Sequence, residues 1–133
     1  MRLNLLTALA LPVGLLLSVV PMMAHHSFAA EYDINKPITL TGTVTKMEWK
    51  NPHIYFYLDV KDDSGKVVNW GIQGGSASQL YRYGYTKDTL QIGNQVTVNG
   101  FLARDGSNLA NMVIVTRDGK KVLGRIESPE ELK

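Results

Sequence analysis

Three observations predict an all-β domain with one short helix, arranged as an OB-like five-stranded barrel. Residues 54–60 alternate strictly, with Ile54, Phe56, Leu58 and Val60 set against Tyr55, Tyr57 and Asp59, the period of a strand with one buried face. Five strand-forming runs are separated by turn residues, and the one helix-like stretch falls between the third and the fourth. Three strands, a helix and two strands is the element order of a five-stranded Greek-key barrel of the OB type. A small β-sandwich with the same number of strands is the alternative.

The first strand is read over Ile38 to Trp49, rich in threonine and valine. Gly42 interrupts it where a barrel strand would bend sharply. After an Asn51-Pro52 turn comes the alternating strand, and Asp62-Asp63-Ser64-Gly65 supplies the next turn. Val67 to Ile72 completes a three-stranded meander. Gly74-Gly75-Ser76 breaks the sheet, and Ser76 to Tyr83 suits a short helix capped by Ser76 or Ser78. Gln95 to Ala103 forms a fourth strand and Asn111 to Thr116 a fifth, joined at Asp105-Gly106. A last hairpin at Asp118-Gly119 leads to Lys121 to Leu123.

The chain has 133 residues, of which 44% are hydrophobic, enough for one core and not for two. Its 14 basic and 12 acidic residues nearly balance. Nucleic-acid binding draws on a clustered basic excess, so this balance argues against a nucleic-acid partner and for a protein partner or small ligand. The absence of cysteine excludes disulfides, thiolate metal sites and cysteine nucleophiles.

Arg2 followed by an apolar run from Leu5 to Val20, with Pro21 before Met22-Met23-Ala24, has the layout of a cleavable export signal. The run is shorter than the roughly 20 residues of a membrane span. The expected organisation is a signal peptide over 1–24, a mature N-terminal segment over 25–37, the β domain over 38–124 and a polar tail over 125–133. Cleavage after Ala29 competes with cleavage after Ala24. Either product is expected in the periplasm with no stable membrane anchor.

The stretches Ala24-His25-His26-Ser27-Phe28-Ala29-Ala30-Glu31-Tyr32-Asp33 and Glu48-Trp49-Lys50-Asn51-Pro52-His53, with the tyrosine-rich strand that follows, resemble an uncharacterised family of small exported bacterial proteins, a domain of unknown function. The resemblance runs on through Val67 to Trp70, Gly93-Asn94-Gln95-Val96 and Ala103-Arg104-Asp105-Gly106. It implies export, a barrel-like domain and processing just before the His-His pair. It brings no activity.

Cleavage after Ala24 would place a free amine and an imidazole on the same residue, His25. His26 adjoins it, and His53, the third histidine of the chain, precedes the alternating strand and would share the face of Tyr55 and Tyr57 by parity. An amine with two imidazoles suits Cu(II), so copper is the leading cofactor expectation. A histidine at position two also offers a tail chelate that needs no folded partner. Glu31, Asp33 or Asp59 could supply an oxygen ligand. The bland alternative is a flexible polar start beside an ordinary turn.

Trp49, Tyr55, Tyr57 and Trp70 fall on the first three strands and form a second candidate, an aromatic face for a partner or ligand. The competing reading makes the tryptophans core residues. No Gly-x-Ser-x-Gly surrounds Ser76 and Ser78, and no HExxH is present. The sequence therefore favours a binding or accessory protein over an enzyme.

Overall fold

The computed structural model describes residues 28–124. Two compact units are distinguished, Met1–Glu31 and Tyr32–Lys133. Of the first, residues 28–31 are described and are helical. Among its described residues the second holds six strands and a helix: β1 (Tyr32–Glu48), β2 (Tyr55–Lys61), β3 (Val67–Gln73), α1 (Ala77–Arg82), β4 (Gln95–Ala103), β5 (Leu109–Arg117) and β6 (Lys120–Gly124).

The strand order is β3-β2-β1-β4-β5-β6, and a further pairing joins β3 to β5. That pairing is parallel, through Gly71 with Leu109, Ile72 with Ala110 and Gln73 with Asn111. It closes five strands into a ring, with β6 added on β5. A sandwich would leave two separate sheets, so closure settles the fold as mostly β and OB-like, with its short helix between β3 and β4.

Alternation fills the ring. Phe56 and Leu58 are fully buried, and Val44, Ile72, Val98, Ala110 and Val115 join them in one cluster. Leu80 from α1 and Leu90 from the following loop enter the same core. The Ser76 hydroxyl accepts a hydrogen bond from the Gln79 backbone N–H at 3.1 Å, starting the helix where a serine cap is expected.

β1 is longer than its sequence suggests. It begins at Tyr32, which is buried, and pairs there with Ala103 before the register shifts and resumes at Pro37 opposite Phe101. The polar run Asp33 to Lys36 and the proline conceal this strand, because the irregular stretch between the two pairings lacks period-2 alternation. β4 has the expected bounds. β5 and β6 each extend beyond theirs, around a two-residue turn at Asp118 and Gly119 whose φ angles of 52° and 74° are those of a type I′ hairpin.

Gly42 on β1 and Gly100 on β4 mark close backbone approaches within the ring. Gly42 pairs with Val60 of β2 and with Val96 of β4, and a Cβ there would strike the Asp59 carbonyl oxygen. At Gly42 and Thr43 β1 pairs with β2 and β4 at once, and its irregularity against β2 falls a little further on, between Val44 and Lys46.

Candidate functional site

His25 and His26 lie outside the described residues. His53 is exposed and sits just ahead of β2, after a cis Asn51-Pro52 bond. Its Nδ1 lies 3.2 Å from the Gly74 carbonyl oxygen. A carbonyl only accepts, so this bond puts the proton on Nδ1 and leaves the Nε2 lone pair of the neutral ring uncommitted. That is the donor state a metal requires, with the other nitrogen tied to a backbone carbonyl.

The surrounding turn is pinned. Asn51 Oδ1 accepts from both the backbone N–H and the hydroxyl of Ser78, each at 3.2 Å. The Gly-Gly-Ser-Ala-Ser stretch therefore starts a helix and holds the turn beside His53. The parity argument that set His53 on the face of Tyr55 and Tyr57 does not apply, since the strand starts only at Tyr55.

The oxygen candidates have other partners. Asp59 accepts from Asn69 Nδ2 at 2.8 Å, and Asp33 takes the Asn35 backbone N–H at 3.1 Å with Arg104 at 3.6 Å. Among the described residues no group of three or more histidine, cysteine or acidic side chains could hold a metal ion.

The four aromatic residues divide between two faces. Trp70 pairs with Leu58, which is fully buried, and packs with Trp49 against the core. Both tryptophans are partly buried against the core cluster, and Trp70 is set on the inner face by its pairing with Leu58. Tyr55 and Tyr57 point outward. The cause is register: Met47 opposes Phe56 on the inner face, while Glu48 and Lys46 oppose Tyr55 and Tyr57 on the outer one.

Residues with no sequence signature complete this outer face. Gln73, 4% exposed, donates from Nε2 to the Tyr55 hydroxyl at 2.7 Å, and its Oε1 accepts from Asn111 Nδ2 at 3.4 Å. Both neighbours follow from the ladder, since Gln73 pairs with Tyr55 on one side and Asn111 on the other. Because Gln73 donates to Tyr55, the tyrosine's own O–H stays available to donate. No local pattern marks Gln73 in the sequence, because its partners lie on β2 and β5.

Charge on this face is locally compensated. Glu48 is paired with Lys46 at 2.5 Å and with Lys50 at 2.7 Å. Hydrogen bonds from the two lysines hold its carboxyl down at about 2, and both ammonium groups are raised in turn. The Lys46 ammonium also stands 5.0 Å from the centre of the Tyr57 ring, in cation–π range. A group whose folded pKa is depressed stabilises the fold above its unfolded value near 4.5, and loses that contribution as pH falls toward about 2. Titration of the Glu48 carboxyl carbon by NMR is therefore expected to have its midpoint near 2. An ordinary carboxylate midpoint would show that the lysine contacts do not persist in solution.

Comparison with solved structures finds similar β architecture at low identity. The mitochondrial single-stranded DNA binding protein Rim1 of S. cerevisiae matches with 9% identity and a TM-score of 0.48, over 62% of this chain and 93% of that one. The N-terminal domain of PriB from Thermoanaerobacter tencongensis, a dimer, matches with 20% identity and a TM-score of 0.42, over 62% of this chain and 96% of that one. At these values nothing about ligands passes to this chain. No curated protein matches it in sequence. The match that identifies the chain covers residues 14–112, nearly all of the ring included, and by it the protein belongs to a family of unknown function, DUF6152.

Proposed function

We propose that this protein is an exported binding domain whose ligand is a late transition metal, copper first, taken up by imidazole nitrogen. The observation that carries the reading is the His53 Nδ1 bond to the Gly74 carbonyl, which fixes the tautomer and frees Nε2. The sequence adds His25 and His26 beside the expected cleavage point, where a free amine would join them. Nitrogen donors of this kind favour Cu(II) among divalent ions. The domain would act as a periplasmic metal-binding or accessory protein, and no catalytic step is assigned to it.

Calorimetric titration of Cu(II) into the mature protein and its His53→Ala variant tests the reading. Loss of His53 is expected to weaken binding about tenfold or more, the range found when one supporting group of a metal site is removed. Equal affinities would take His53 out of the site and leave only a tail chelate at His25 and His26.

A second reading is favoured by the Gln73 contact, a buried amide that orients the Tyr55 hydroxyl as an outward donor. On that reading the domain binds a protein partner or small ligand, without metal, on the Tyr55 and Tyr57 face. The same titration separates the two, because only the first requires a copper affinity that falls when His53 is removed.

A further inference from the structure

Another part of the outer surface differs from the tyrosine face in its chemistry. Across β1 and β4 the outward positions are Thr39, Thr41 and Thr43 against Asn99, Thr97 and Gln95, paired in that order. None of the six is ionisable, although a typical solvent-facing surface is roughly a quarter to a third charged. The middle row continues to Thr116 on β5, and its first charge is Lys121 on β6. Where this strip meets the Asp118-Gly119 turn lies a groove of about 330 Å³, lined by Thr41, Gln95, Thr97, Thr116 and Asp118 among others.

The hydrogen-bonding state of these side chains narrows what could bind. Thr41 and Thr97 share one bond between their hydroxyls at 2.9 Å. Whichever donates, the other keeps its proton, so the pair presents both a donor and lone pairs. Thr39 donates to Asn99 Oδ1 at 2.8 Å, which leaves the Asn99 amide N–H groups to donate outward. An anion would need donors and positive charge, and the groove lining carries one carboxylate and no basic residue. A hard cation such as calcium would need six to eight oxygen ligands with several charges among them. A ligand whose every group both donates and accepts is matched on both counts.

We infer that the Thr41–Thr97–Thr116 groove and the threonine strip leading into it bind a neutral polyhydroxylated ligand, an uncharged oligosaccharide. Alternate residues along each strand repeat at about 6.8 Å and neighbouring strands at about 4.8 Å, so the strip offers a regular lattice of hydroxyl and amide groups to an extended chain of hydroxyls. Asp118 in the groove lining supplies a carboxylate acceptor for a pair of hydroxyl groups. This site is separate in residues from both His53 and the tyrosine face.

The test is an amide-resolved NMR titration of the mature protein with three neutral probes, cellohexaose, maltohexaose and chitotetraose, and two anionic ones, oligogalacturonate and a single-stranded oligothymidylate. At least one neutral probe is expected to bind with millimolar affinity and to shift the amides of Thr41, Thr97 and Thr116. Thr97→Val keeps the β-branched shape and removes the hydroxyl, and should weaken that binding about five- to tenfold, the equivalent of one hydrogen bond. Asp118→Asn preserves the left-handed turn residue and should weaken it by a similar factor. Saturation without any shift from the neutral probes would overturn the inference. So would tighter binding of either anionic probe, or shifts confined to Tyr55 and Tyr57.

Discussion

Phe56→Ala is expected to lower the free energy of unfolding by about 3 to 5 kcal/mol, the range for a fully buried phenylalanine. The ring is completely enclosed, opposed by Met47 on β1 and Ile72 on β3. Its strand is hydrogen-bonded on both sides within a closed ring, so neither neighbour can move in to fill the space without breaking a ladder. Incomplete collapse keeps the cavity term, and the loss should fall in the upper part of the range. Equilibrium urea unfolding measures it as a lower midpoint at unchanged slope. A loss under about 1 kcal/mol would mean that the site relaxes freely, contrary to a closed ring.

Gly100→Ala should be the most damaging single-methyl addition, at about 3 kcal/mol or more, the top of the overpacking range. The new Cβ would meet the Asn111 carbonyl oxygen, with the carbonyl carbon at 2.9 Å and the Met112 Cα at 3.3 Å. All three are backbone atoms, so no side chain can rotate aside and the β4–β5 ladder itself must open. That ladder already shifts register between Asn99 and Gly100, and the glycine is what allows the strands this close. Gly65→Ala is the informative comparison. Its φ of 84° costs an alanine conformational energy, yet nothing lies within 4 Å of the added atom, so its loss is limited to the roughly 1 to 2 kcal/mol of a left-handed residue. Equal losses in thermal unfolding would show that contact with Asn111 is not the cause at Gly100.

Most of the ring could be read from the sequence because its strands obey simple parity. Ile54 to Val60 alternates without exception, and β4 is bounded by residues of clear strand and turn character. The N-terminal part of β1 was hidden because pairing across Asp33 to Pro37 is interrupted, and an interrupted ladder leaves no periodic trace. Parity also governs where Trp70 and His53 stand. Trp70 differs by one position from the face of Gly71 and Tyr57, which is enough to turn it inward. Strand parity carried back to His53 places it with Tyr55 and Tyr57, but β2 begins at Tyr55 and His53 sits in the turn that follows the cis Asn51-Pro52 bond. The threonine strip was present in the first-strand composition, yet its meaning depends on β1 lying beside β4. That pairing joins residues about 60 positions apart, and no local pattern encodes it. Gln73 is the same case, since its two partners come from β2 and β5.

The measurement that bears most directly on the proposed function is electron paramagnetic resonance of Cu(II) added to the protein exported by its own leader, with the intact mass taken on the same sample. The account predicts a mass beginning at His25 and one copper per chain with nitrogen hyperfine structure that simplifies in His53→Ala. A different N-terminus, or copper that remains unbound at equimolar protein, would contradict it and leave the Tyr55 and Tyr57 face as the domain's binding surface.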